Sequence, residues 1–229
     1  MSDTPVFEVT SDAVTLADMR LTTAAKVRAM IGGAPADDPT IIEPLIDRAS
    51  AAIADYCGLA RDLLGKPATF ARETCRATWF MQSWRHHERC PRHTLRLPWR
   101  TPITAISSVV EAGVTLDPAS YQLKPGGLLD RLSGDASIGW SRAKIVVVYV
   151  AGFTVPVSTN VPPALEQAVT EQVKSWTTAR KRDPTIASES VPDVYQASYK
   201  VSGEADGNLL LSVEVGLQAG GYVNWAVES

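Results

Sequence analysis

Apolar positions recur with a helical period at both ends of this chain and with a strand-like period between them. After Thr22-Thr23, which can cap a helix N-terminus, Val27, Met30 and Ile31 fall on one side, and Gly32-Gly33 ends the run. Asp38-Pro39 restarts it as N-cap and first-turn proline. Ile42, Leu45, Ile46, Ala49, Ile53 and Tyr56 then make an apolar stripe that Gly58 closes. A third helix is expected from about Ala68 to Trp84, with Phe70, Ala77, Met81 and Trp84 inward and Pro91 bounding its furthest extent. These spacings predict helices over 23–32, 38–58 and 68–90. Residues 1–21 carry scattered apolar groups with little periodicity and are expected as an N-terminal arm.

From residue 94 the pattern changes. Leu95-Arg96-Leu97-Pro98 resembles a strand entry, Ile103 to Val110 is β-rich, and Val114-Thr115-Leu116 follows a turn at Gly113. Asp117-Pro118 turns the chain before Tyr121-Gln122-Leu123, and Gly126-Gly127 precedes Leu128-Leu129. Ile145-Val146-Val147-Val148-Tyr149-Val150, almost entirely β-branched or aromatic, closes the set. Short strands with regular turn signals predict a small antiparallel meander over 94–150.

The helical period returns after Val161-Pro162-Pro163. Leu165, Val169, Val173 and Trp176 share one face, and Arg182-Asp183-Pro184 stops the helix, predicted over 163–182. Beyond it, Val194–Val201 and Leu209–Val215 alternate around Gly203-Glu204-Ala205-Asp206-Gly207, a hairpin signal. The expected fold class is therefore α+β: mainly a helical bundle over 22–184, with an inserted antiparallel β-meander and an extended C-terminal tail over 185–229. No internal repeat or low-complexity tract is present.

Composition narrows the function. At 229 residues and 45% hydrophobic, the chain can bury a substantial core. A net charge of −3 argues against a dedicated nucleic-acid binder, where a basic balance is expected. Cys57, Cys75 and Cys90 are odd in number and widely spaced, which suits reduced thiols in a cytoplasmic protein better than a disulfide framework. Met1-Ser2-Asp3-Thr4-Pro5 has neither a basic n-region nor an apolar h-region, so no secretory signal is expected. No apolar run approaches the ~20 residues of a membrane helix, so no membrane partner is expected.

The densest candidate chemistry is Trp84-Arg85-His86-His87-Glu88-Arg89-Cys90-Pro91-Arg92-His93. His87, Cys90 and His93 have a spacing that can supply zinc ligands. Against this, adjacent histidines on a helix point about 100° apart, so His86 and His87 do not share an ion. No metal and no cofactor is expected. The same stretch is basic: Arg85, Arg89, Arg92, Arg96 and Arg100 accompany a single acid, Glu88. Phosphate contact with DNA, pairing with a neighbouring subunit or partner, and a solvated helix end are the three readings, and the subunit contact is preferred for Arg85, Arg89, Arg92 and Arg96. No GxSxG, Walker-type or GxGxxG segment occurs, so no catalytic residue is assigned. Asp37-Asp38 suits a helix N-terminus. The tryptophans at 79, 84 and 176 fall at or near core positions of predicted helices, which favours packing over a ligand pocket.

The landmarks also have an order. Lys26–Ile31 is followed by Asp38–Gly58 ending in Tyr56-Cys57-Gly58. Next come a third helix, the proline-flanked Leu97-Pro98-Trp99-Arg100-Thr101-Pro102-Ile103, and the turn segment Val109–Leu123. Trp140 then precedes the last strand, followed by Ala151-Gly152-Phe153 and the double-proline helix start. This ordered set, over roughly 22–184, resembles the adaptor (head–tail connector) proteins of long-tailed phages and gene transfer agents. The resemblance implies a structural, non-enzymatic protein forming a ring of about twelve copies under the portal of a capsid. DNA would pass through its channel without sequence-specific contact, and the ring would present a platform to the next tail or stopper component. Its partners would be itself and the portal. It would be found in the cytoplasm of the producing bacterium during assembly and afterwards in the particle neck. Residues 185–229 are longer and more β-like than a minimal member requires. They are expected to dock on the portal through Tyr195, Tyr199, Leu209, Leu211, Tyr222 and Trp225, because two small strands alone are marginal. A DNA-binding or DNA-packaging accessory protein is the alternative reading, and a metal-dependent enzyme built on His86–His93 is a third.

Overall fold

The strand Ile145–Ala151 (β9) organises the molecule. The computed structural model describes residues 5–12, 15–31, 39–80, 94–155, 161–180, 188–191, 195–198 and 209–224. In β9 every second residue, Ile145, Val147, Tyr149 and Ala151, is buried, which follows from the period of two in a pleated strand. One edge of β9 pairs with β2 (Glu73–Trp79), the other with β4 (Ile103–Glu111). β1 (Val6–Val9) adds outside β2, and the two-residue β5 (Val114–Thr115) outside β4, giving an antiparallel sheet in the order β1-β2-β9-β4-β5. A second antiparallel sheet combines β3 (Thr94–Arg96), β6 (Tyr121–Lys124), β7 (Leu128–Ser133) and β8 (Ala136–Ile138), with β7 at its centre. Phe7, Cys75, Trp79, Leu95, Leu97, Val109, Leu129, Trp140 and the inward face of β9 form one core that holds both sheets.

The helices build a separate core. In α2 (Pro39–Tyr56), Ile42, Ile46, Ala49 and Ile53 are buried, as are Leu165, Val169 and Val173 of α3 (Pro163–Arg180). Val27 of α1 (Ala24–Ile31) and Leu209, Val213 and Leu217, mostly on α4 (Leu211–Ala219), complete the cluster. The i, i+4 spacing of 209, 213 and 217 puts them on one helical face. The buried Gln172 amide accepts from Leu210 N at 2.9 Å, Gln218 Nε2 donates to Tyr56 Oη at 2.7 Å, and Asn224 N donates to Cys57 O at 3.0 Å. The described end of the chain is therefore folded onto its own body. Among the described residues β10 (Ser188–Val191) and β11 (Tyr195–Ser198) pair only with each other.

The fold class departs from the expectation of a mainly helical bundle. Among the described residues four α-helices accompany eleven strands, nine of them in two antiparallel sheets and two in the hairpin β10–β11, so the protein is sheet-rich. The error lies chiefly in 68–90, expected as a helix. Its described part, 68–80, is an extended segment followed by β2. Phe70 and Ala77 satisfy a helical spacing, yet Cys75, Ala77 and Trp79 alternate with Thr74, Arg76 and Thr78, and two of those are β-branched. Pairing with β1 on one side and β9 on the other decides in favour of the strand. Residues 1–21, expected as an arm, contain the edge strand β1 with Phe7 and Val9 buried. Leu209–Val215, expected as a strand, leads into and forms the first turns of α4.

Candidate assembly surfaces

Landmarks far apart in sequence meet at one buried junction between the two cores. Gly152, just after β9, donates from its N–H to Pro102 O at 2.8 Å, and Phe153 N donates to Phe70 O at 2.7 Å. Gly152 has φ +97°, and a Cβ there would lie 2.2 Å from Ala71 O, so only glycine lets the backbones approach this closely. Under this crossing Arg100 and Glu73 form an ion pair at 3.1 Å with side chains 2% and 3% exposed. Arg100 Nη1 also donates to Thr69 O at 2.8 Å, and the guanidinium lies 5.5 Å from the centroid of the Phe7 ring. Burial raises the Glu73 carboxyl above its ordinary range, with Arg100 and Lys66 pulling it down. Burial also pushes the thiols of Cys57 and Cys75 up to about 12, so both stay protonated and unreactive at neutral pH. Tyr149 Oη donates to Pro98 O at 3.1 Å, and burial raises its pKa as well. These groups are occupied in holding the junction together.

The five-stranded sheet has two edges of different character. Along β1 the loop 61–66 supplies partners: Val9 N donates to Asp62 Oδ1 at 2.6 Å and Leu63 N to Phe7 O at 3.0 Å. Lys66 Nζ donates to Val9 O and Ser11 O, both at 2.9 Å. Along β4, β5 pairs only with Val110 and Glu111, and Leu116 N reaches Val109 O at 2.8 Å. Among the described residues no strand pairs with 103–108 on the side away from β9. Thr104, Ala105 and Ser107 are exposed there, and two register shifts against β9 bend the strand. Beside the start of β4 lies an open cleft of about 420 Å³, lined by 97–103 and by the turn 123–127.

The predicted contact residues scatter. Arg96 stands on β3, with Nη2 3.4 Å from Asn224 Oδ1. Arg100, the last arginine of the basic stretch, is buried in the junction. Arg85, Arg89 and Arg92 lie outside the described residues, as do Tyr199, Trp225 and the whole His86–His93 cluster. Tyr195 is placed only as a backbone position in β11. Leu209 is buried in the helical core, and Tyr222 is half-buried against it, its phenol shifted up by burial and by nearby Cys57. Leu211 is 75% exposed and Val215 55%, one turn apart on the outer face of α4. Sequence reasoning missed Glu73 and Asp62. A carboxylate inside an alternating apolar run was the available signal for Glu73. Asp62 carried only a turn signal, since it accepts from Leu64 N and Lys66 N nearby, and nothing local pointed to its bond with Val9 N of the distant β1. No group of three or more metal-ligating side chains gathers among the described residues, and no described helix is long and apolar enough to cross a membrane.

No protein-family profile and no curated protein matches this chain. Among solved structures, a chain of the native gene transfer agent virion aligns at 17% identity and TM-score 0.46, covering 75% of this chain and 84% of that one. A chain of the neck of the empty particle, computed with C6 symmetry, aligns at 17% identity and TM-score 0.46 over 79% and 88%. One from the neck of the native particle, computed with C12 symmetry, aligns at 14% identity and TM-score 0.44 over 79% and 87%.

Proposed function

We propose that this chain is a structural head–tail adaptor of a phage-like particle, forming a ring under the portal that joins capsid to tail and lets DNA pass. The observation that carries this reading is the convergence at the junction. The segments whose order resembles the adaptors, Leu97–Ile103 and Ala151-Gly152-Phe153, meet in one buried crossing held by Gly152 and the Arg100–Glu73 pair. The ordered motifs thus form a rigid frame, and function falls to the surfaces that the frame presents. The described residues within 5–31 and 39–180 supply the body, and the exposed Leu211–Val215 face of α4 supplies a portal-docking surface. Leu209 and Tyr222 serve the chain's own core instead.

A DNA-packaging accessory would use the arginine stretch. Arg100 is committed to Glu73, and the chain carries 22 basic against 25 acidic residues. Duplex DNA is therefore expected to bind no tighter than the non-specific range of ~10⁻⁴–10⁻⁶ M at physiological salt. The deciding experiment measures native mass and particle shape for the full chain, alone and with portal-bearing heads. A ring of about twelve copies on the heads is expected. A protein that stays monomeric and leaves heads without an added layer would exclude the adaptor role.

A further inference from the structure

Among the described residues one strand edge has no strand partner and one hairpin pairs with no further strand. β4 offers the edge. Its outward side over 103–108 meets no strand among the described residues. The sequence Ile-Thr-Ala-Ile-Ser-Ser carries neither of two common edge guards, a charge or a proline, and its two register shifts bend the edge without covering it. The opposite edge of the same sheet is guarded by Asp62, Leu63 and Lys66, so the fold can cover an edge where that is needed. The hairpin β10–β11 is the complement. Its four paired positions, Ser188↔Ser198 to Val191↔Tyr195, make up a two-stranded sheet of its own. Such a ribbon is marginal in water until a third strand joins it.

We propose that the β10–β11 hairpin of one copy adds to the β4 edge of a second copy, extending the five-stranded sheet across the subunit boundary. This rests on the ring reading and names its contact. Every copy carries one edge and one hairpin, so a head-to-tail contact uses both, and it closes into a ring where its rotation divides a full turn. Seven residues, 181–187, lie between α3 and the hairpin in the sequence. Main-chain hydrogen bonds supply the affinity, as in strand addition generally. The cleft beside Ile103 lies at the start of the edge and gives the incoming strand a recess to enter.

The test is site-directed cross-linking in the full chain with Cys90→Ser, since Cys57 and Cys75 are buried. Chains bearing Thr104→Cys, Ala105→Cys or Ser107→Cys are each mixed with chains bearing Gln196→Cys and oxidised. Covalent pairs between differently labelled chains are expected for at least one of the three positions. The two substitutions placed in one chain should then give a ladder of multimers. Adding Ala197→Pro, which removes a strand N–H in the hairpin, should abolish the ladder and leave the melting temperature of the body unchanged. The proposal is overturned by an absence of interchain links at all three positions, by links that form only within one chain, or by a ladder that survives Ala197→Pro. Rings on heads without cross-links would retain the adaptor reading and discard this contact. Cross-linked multimers that never join heads would do the reverse.

Discussion

The two edges of the five-stranded sheet solve the same problem in opposite ways. At β1, unpaired strand groups receive a carboxylate, a backbone N–H and a lysine from the loop 61–66. At β4, among the described residues, only the far end is closed, by the two residues of β5 and by Glu111, which accepts from Ser141 N at 2.6 Å and Arg131 Nε at 3.0 Å. An unpaired edge invites pairing with another chain. A sheet with one edge covered by polar contacts and the other bare among the described residues is directional. Under the ring reading proposed above, that property suits a subunit that binds a copy of itself on one side only.

The sharpest way to break this comparison is to remove the frame that both edges hang on. Arg100→Ala strips the partner from a carboxylate that is 3% exposed, and it should cost about 3–5 kcal/mol in urea unfolding. A loss below ~1 kcal/mol would mean that the junction does not hold the sheets, and both edges would need another explanation. Second in size is the covered edge. Asp62→Ala leaves Val9 N, together with Leu64 N at 2.9 Å, without an acceptor. We expect about 2–3 kcal/mol of destabilisation, with the midpoint of thermal unfolding falling by roughly 4–12 °C. Concentration-dependent association through β1 should appear in light scattering. A destabilised variant that stays as monodisperse as the parent would show that the loop protects stability without guarding the edge.

The closed end of β4 gives a pH-dependent effect. Burial tends to raise the Glu111 carboxyl, but the Ser141 N–H and Arg131 outweigh it and hold the group below its ordinary range. A depressed folded-state value means that the contribution is present above the unfolded value of about 4.3 and is lost as pH falls through the folded one. Glu111→Gln should therefore cost about 1.5–3 kcal/mol at pH 7, and the gap to the parent should narrow as pH falls below about 4.3. A gap that is constant from neutral to acid pH would assign the effect to packing. Smallest in stability is the open edge itself. Ser107→Lys places a charge on an exposed position of β4 and should change unfolding by no more than about 0.5 kcal/mol. Its effect should instead appear as loss of assembly in native mass measurements. A Ser107→Lys protein that assembles as the parent does would remove the functional meaning of the bare edge.

The sequence alone determined what depends on neighbours along the chain. The stripe of Ile42, Ile46, Ala49 and Ile53, the proline start of α3, the strand Ile145–Ala151 and the turns of the meander follow from periodicity and from turn residues, and each appears near its expected limits. Tertiary structure decided everything in which two local readings were balanced. Residues 73–79 satisfied both a helical and an alternating period, and hydrogen bonding to β1 and β9 selected the strand. Leu209, Val213 and Leu217 carry a period of four beneath an apparent alternation, and the helical face won because α2 and α3 offered a core to receive it. Arg100 looked like the end of a surface patch and became the centre of a buried junction, since Glu73 and Thr69 reach it only after the chain has crossed itself at Gly152. Period and punctuation are local and additive, whereas a buried ion pair, a covered edge and a bare one exist only between segments that the chain keeps far apart.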